Sequence, residues 1–161
     1  MTDEALPTAP TAITDHADDV QKFLFALADN DFDTFESLAA PELIWQNVGL
    51  PTIRGRRRIL DLLRRGEGKF GFDVKFHHIA ATDERSREEQ AGTGVTVLTE
   101  RTDAIILGPV RLQFWVCGTF EFNADGQITV WRDYFDVLDF MVKAPLRALR
   151  GFVMPSLRPK F

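Results

Sequence analysis

The first regular pattern along the chain is helical and sets in at about Thr14. Val20, Phe23, Leu24 and Leu27 recur at i, i+3, i+4 and i+7, with Asp15, Asp18 and Asp19 near the start, where carboxylates favour the helix dipole. These positions predict a helix with one face on the core. Asn30 or Asp31 then caps a short second helix whose Phe32, Phe35 and Leu38 share a face. Leu43 to Val48 reads as a short strand. Gly49, Leu50 and Pro51 break it, and a basic helix from Arg56 to Arg65 follows, ending at Gly66 and carrying Ile59, Leu62 and Leu63 as its apolar stripe.

Past Lys69 the period changes to two. Phe72, Val74 and Phe76 alternate with Asp73, Lys75 and His77, the mark of a half-buried strand on which His77 and His78 point to opposite faces. Thr82 to Gly94 is a polar loop. Three further strands are predicted at Val95 to Leu107, Arg111 to Asn123 and Gln127 to Asp136, divided by turn sequences at Gly108-Pro109 and Ala124-Asp125-Gly126. Val137 to Ala144 is helical in pattern, Pro145 interrupts it, and Leu146 to Phe161 is apolar and basic. Helices first and a strand meander afterwards predict one α+β domain over residues 14–150, its helices laid on one face of a curved sheet. Residues 1–13, rich in Ala, Pro and Thr without periodicity, read as a disordered lead-in, and residues 151–161 as a tail.

Composition narrows the function classes. The 161 residues are 45% hydrophobic and include 14 Phe and 3 Trp, enough for a sizeable core or an apolar cavity. A net charge of −5 argues against general affinity for nucleic acid and favours small-molecule or protein partners. A single cysteine, Cys117, excludes an intrachain disulfide and a thiolate metal cluster. Met1 to Pro10 is acidic and lacks the apolar core of a signal peptide, and no apolar run is long enough to span a bilayer, so the cytoplasm is the expected location. His16, His77 and His78 show no metal-ligand spacing, and no metal site is expected. Arg56, Arg57, Arg58, Arg64 and Arg65 read as a solvated helix face.

The residues that carry chemistry are charges on apolar faces. Arg101 and Asp103, two apart on one strand, share a face with Val97, Ile105 and Leu107. Asp133 stands between Trp131 and Phe135, and Asn47 ends a face made by Leu43 and Trp45. Charges on such faces are expensive unless they pair or work. Taken singly, Arg101 with Asp103 also suits a surface pair, and Asn47 also suits the start of a turn. Together, two carboxylates, a guanidinium and an amide converging from three strands make a site hypothesis with a physical reason.

Thr99-Glu100-Arg101-Thr102-Asp103 and Trp131-Arg132-Asp133-Tyr134-Phe135-Asp136, with Trp45-Gln46-Asn47 upstream, resemble the limonene-1,2-epoxide hydrolase family, its mycobacterial members in particular. The similarity covers about Ala17 to Ala144. It implies a cone-shaped pocket in a strongly curved mixed or antiparallel sheet closed by N-terminal helices, of the nuclear-transport-factor-like or ketosteroid-isomerase-like kind, in a homodimer. It implies that Asp133 takes a proton from water, Asp103 gives one to the epoxide oxygen, Arg101 bridges them and Asn47 helps to hold the water, with no metal or organic cofactor. The sequence departs from the family at Trp45, where the limonene enzyme has tyrosine, and Asp83 to Gly92 reads as an insertion. Phe72, Phe76, Phe114, Trp131 and Phe135 are the expected aromatic lining for a terpene, lipid or sterol epoxide. Two rival readings stand beside this one: an isomerase or epoxide-opening cyclase on the same fold, and a non-catalytic ligand-binding or dimerisation module.

Overall fold

The computed structural model describes residues 11–82 and 95–157. The order of elements is α1 (Thr11–Ala28), α2 (Phe32–Leu38), β1 (Ala39–Asn47), β2 (Ile53–Arg54), α3 (Arg56–Gly66), β3 (Gly71–Ala81), β4 (Thr96–Leu107), β5 (Val110–Phe122) and β6 (Ile128–Tyr134). A π-helical turn (Asp139–Lys143), α4 (Ala144–Val153) and a 3-10 turn (Pro155–Leu157) follow. The predicted loop from Thr82 to Gly94 lies, past Thr82, outside the described residues, as do residues 1–10 and 158–161.

Strands β3 to β6 form the expected antiparallel meander, with tight turns from β4 to β5 and from β5 to β6 in which Gly108 and Gly126 take positive φ. Strand β1 does not extend that meander at its near end but lies parallel to the last strand, giving a curved, open, mixed sheet in the order β2-β1-β6-β5-β4-β3. Helix α1 lays Val20, Phe23 and Leu24 on the sheet, where Phe23 stacks on Phe35 of α2 at 4.3 Å and meets Trp131 of β6 edge-on at 5.4 Å. The same layer takes in Leu43, Ile59, Val97, Phe120 and Ile128, so the core and the charged residues of β4 and β6 share one face of the sheet.

Four local readings change in three dimensions. Helix α1 begins at Thr11, directly after Pro10, because no helix breaker separates residues 11–13 from the periodic segment. The buried stripe of α3 is Ile59 and Leu60 with Leu63 partly buried, while Leu62 is 44% exposed. Arg56 sets this rotation: it donates to the Glu36 and Ala39 carbonyls at 3.1 and 2.8 Å, closing the C-terminal end of α2, and residues 59, 60 and 63 are its neighbours on the same helix face. His77 and His78 are both exposed, because the pairing of β3 with β4 slips between Phe76 and His78 and the extra residue changes the phase. Pro145 does not end a helix. It sits in the first turn of α4, where its missing N–H is not needed, and the helix runs to Val153.

Candidate active site

Strand alternation puts Thr99, Arg101 and Asp103 of β4 on the core-side face, and the structure buries all three. Arg101 is fully buried and is the largest such side chain among the described residues. Its Nε donates to Asp103 Oδ1 at 2.9 Å and Oδ2 at 3.2 Å, and its Nη2 donates to Asp103 Oδ2 at 3.1 Å and to Asp133 Oδ1 at 2.6 Å. Nη1 donates to Thr99 Oγ1 at 3.0 Å. One guanidinium therefore spans two strands and touches both carboxylates, which only a planar, multi-donor cation does. The bridge expected between Asp103 and Asp133 is present in the geometry.

Asn47 reaches the site through the parallel pairing of β1 with β6, in which Asn47 is the partner of Asp133 and Trp45 of Trp131. The two indoles stack, with ring centroids 4.8 Å apart and planes inclined by 14°. Beside them lies a cavity of about 240 Å³ whose wall includes Trp45, Asn47, Phe72, Asp103, Phe114, Trp131, Asp133 and Phe135, all expected from the sequence. Leu50, Phe70 and Phe140 join the wall without having been foreseen. Leu50 and Phe70 are half exposed, so the wall meets solvent at these two residues. Phe76, an expected lining residue, is not part of this wall; its ring packs edge-on against Phe25 of α1 at 5.7 Å. It lies next to the irregularity in β3. Phe114, Phe135 and Phe140 form an aromatic cluster in the wall, with centroids 4.7 to 5.5 Å apart.

Burial decides the electrostatics. It pushes the Asp103 carboxyl up to about 7, against the pull of the Arg101 guanidinium and with added repulsion from Asp133. Asp133 is also raised by burial, with Arg101 opposing and the Trp131 indole giving minor support to the ionised form. Trp131 Nε1 nevertheless makes no hydrogen bond of ordinary geometry, and Trp45 Nε1 is likewise buried without a partner. Burial would lower Arg101, but the two carboxylates more than reverse it, so Arg101 stays a cation. With both aspartates ionised the set carries net negative charge in an apolar wall. With one shared proton it is neutral, and the carboxylates then occupy opposite states as paired acid and base chemistry requires.

The helices laid on a curved six-stranded sheet give the domain a nuclear-transport-factor-like fold. A structure of such a protein from Burkholderia pseudomallei K96243 aligns with a TM-score of 0.63 at 12% identity, covering 81% of this chain and 96% of that one, a likeness of fold alone. Within that class the match is narrower. Residues 14–147 match the catalytic domain of limonene-1,2-epoxide hydrolase, and the chain belongs to that family of enzymes. It is 52% identical over 139 residues to the epoxide hydrolase EphG of Mycobacterium tuberculosis, covering 86% of this chain and 85% of that protein. The solved structure of an M. tuberculosis LEH-like epoxide hydrolase is 46% identical with a TM-score of 0.82, covering 95% of this chain and 100% of the other. The resemblance carried by the Arg101-x-Asp103 and Trp131 to Asp136 segments thus holds across the domain, including the mycobacterial likeness.

Proposed function

We propose that this enzyme adds water directly to an apolar epoxide, giving a vicinal diol, with Asp133 as base, Asp103 as acid and Arg101 between them. The observation that carries the reading is the fully buried guanidinium bonded to both carboxylates beside an apolar cavity. Water is held between Asp133 and the Asn47 amide, neighbours across β1 and β6. Asp133 accepts one proton of the water as its oxygen attacks an epoxide carbon. The C–O bond breaks, its electron pair stays on the oxygen, and that oxygen takes the proton of Asp103. Arg101 engages one oxygen of Asp133 and both of Asp103, so its contact with the base is narrower than its contact with the acid. After one turnover the proton is on Asp133 and returns to Asp103 by way of water or the bridging guanidinium.

The aromatic and aliphatic wall supports a terpene, lipid or sterol-type epoxide. A cavity of about 240 Å³ lies below the roughly 300–1,000 Å³ common for small-molecule sites, which suits a substrate that inserts its epoxide end and leaves any longer part where the wall meets solvent at Leu50 and Phe70. The functional assembly is a homodimer. A panel of terpene, fatty-acyl and sterol epoxides assayed for diol tests the substrate class, with Asp103→Asn and Asp133→Asn as controls. A single turnover in 18O-labelled water tests the route: direct addition puts solvent oxygen into the first diol formed. First-turnover diol carrying unlabelled oxygen at the attacked carbon would point to a covalent carboxylate intermediate and overturn the mechanism.

A further inference from the structure

Arg101 and Asp133 do not stand on neighbouring strands. Strand β5 runs between β4 and β6, so the guanidinium must cross the whole width of β5 to reach the base. The register shows where it crosses: Gly118 of β5 is the partner of Thr99 on β4 and of Asp133 on β6, so the three residues form one row across the sheet. On the same face of β5, two residues to either side, stand Val116 and Phe120, both buried, and the guanidinium carbon lies 5.8 Å from the Phe120 ring centroid. A Cβ at position 118 would fall far inside contact distance of Arg101 Nη1, 2.7 Å from Thr99 Oγ1 and 3.0 Å from Phe120 Cε2. Glycine in a strand interior is otherwise unfavourable, since it loses backbone entropy and offers nothing to pack.

We propose that Gly118 and Thr99 are positioning residues of the acid–base set: the bare Cα of Gly118 is the notch through which Arg101 reaches Asp133, and Thr99 Oγ1 holds the guanidinium in it. This rests on the reading of Asp103 and Asp133 as acid and base. The atoms that a Cβ would strike are the ends of side chains and not backbone, so an added methyl displaces the guanidinium before it disturbs the sheet. Displacement weakens the single Nη2 contact to Asp133, which is all that ties Arg101 to the base. Thr99 bonds Nη1, the end of the guanidinium not used on either carboxylate, and so sets its rotation without touching a reacting group.

The test is Gly118→Ala, with Thr99→Val and Thr99→Ser as a second pair. Gly118→Ala should fold and lower kcat about a hundredfold with little change in KM, the scale of loss that an ångström-sized misplacement brings. The acid limb of its pH–rate profile should move to higher pH, because Asp133 loses the cation that opposes its protonation. Titration of 13C-labelled aspartate carboxyls in the free enzyme should show the same upward movement. Thr99→Val should move both readouts in the same direction by less, and Thr99→Ser should restore them. A folded Gly118→Ala protein with unchanged kcat and unchanged carboxyl titration overturns the proposal. If that variant does not fold, a Thr99→Val enzyme that matches the parent in both readouts overturns it. Near-normal turnover by Asp133→Asn would instead overturn the proposed function, and the carboxyl titration, which needs no substrate, would still decide the notch.

Discussion

Asn47 and Asp133 are direct partners on parallel strands, and this pairing sets an amide beside the carboxylate at the wall of the cavity. A water held there has two acceptors for its hydrogens, which leaves a lone pair for an epoxide carbon.

The first prediction follows from that division of labour. Asp133→Asn and Asp103→Asn should each lower kcat by about 10²- to 10⁴-fold while the protein stays folded, since an amide neither takes a proton from water nor supplies an acidic one. Arg101→Lys should fall in the same range, because an ammonium does not bond both carboxylates in the observed fork. Steady-state kinetics with circular dichroism on each variant check this, and near-normal turnover by either asparagine variant would sink the mechanism.

The pH–rate profile should be bell-shaped. Activity needs one proton on the pair, so the rate falls on the alkaline side as the pair loses that proton, which burial holds up to about 7 at Asp103, and falls on the acid side as the pair takes up a second. The same shifts act on stability with a definite sign. Both groups have folded values above their unfolded ones, so the folded state holds extra protons between the two; their contribution is fully present below the unfolded value and is lost as pH rises through the folded one. The melting temperature should therefore decline from pH 5 to pH 8, and Asp103→Asn, which has no proton to lose, should flatten the decline. Thermal scans that decline equally steeply for both proteins would contradict this.

Trp45 offers a sharper mutational contrast. Its indole stacks on Trp131, and its Nε1 is buried with no partner, so its visible contribution is packing. Trp45→Phe removes an unsatisfied donor and keeps a ring on Trp131, and should retain activity within about tenfold. Trp45→Tyr should be at least as active as the parent on small epoxides. A loss from Trp45→Phe as deep as that from Asp133→Asn would show that the indole acts on the water and that the water site is wrongly placed.

The last prediction concerns α4, whose faces are reversed for a surface helix. Small residues, Ala144, Ala148 and Gly151, are buried, while Leu146, Leu149, Phe152 and Val153 are 52 to 71% exposed. The helix packs on β5 through those small residues and lines no part of the cavity among the described residues, so its exposed apolar side is open to cover by a second copy of the chain. Leu149→Glu with Phe152→Glu should convert the proposed homodimer to a monomer in sedimentation velocity, and a parent protein that already sediments as a monomer would contradict the proposed assembly. A dimer unaffected by the double change would place the interface elsewhere.

Much of this molecule could be read along the chain, because helix and strand periods are local properties. The faces that bury Val20, Phe23 and Leu24, and Arg101 with Asp103, follow from a spacing of 3.6 or 2, and so does the placing of charges on apolar faces that marked the site. The cap at Asp31, whose carboxylate accepts from the Thr34 N–H at 3.1 Å, was legible for the same reason. Local periodicity fails where a neighbour sets the phase: Arg56 turned α3 so that Leu60 and not Leu62 is buried, and an irregularity in β3 put His77 and His78 both outside. Strand order is a property of the whole sheet. Only the tertiary structure set β1 parallel to β6, so that Asn47 meets Asp133, and placed β5 between β4 and β6, so that the Arg101 bridge passes over Gly118. The sequence determined which residues carry charge onto an apolar face. Which of them touch depended on pairings between segments far apart along the chain, and no spacing within one strand encodes a partner on another.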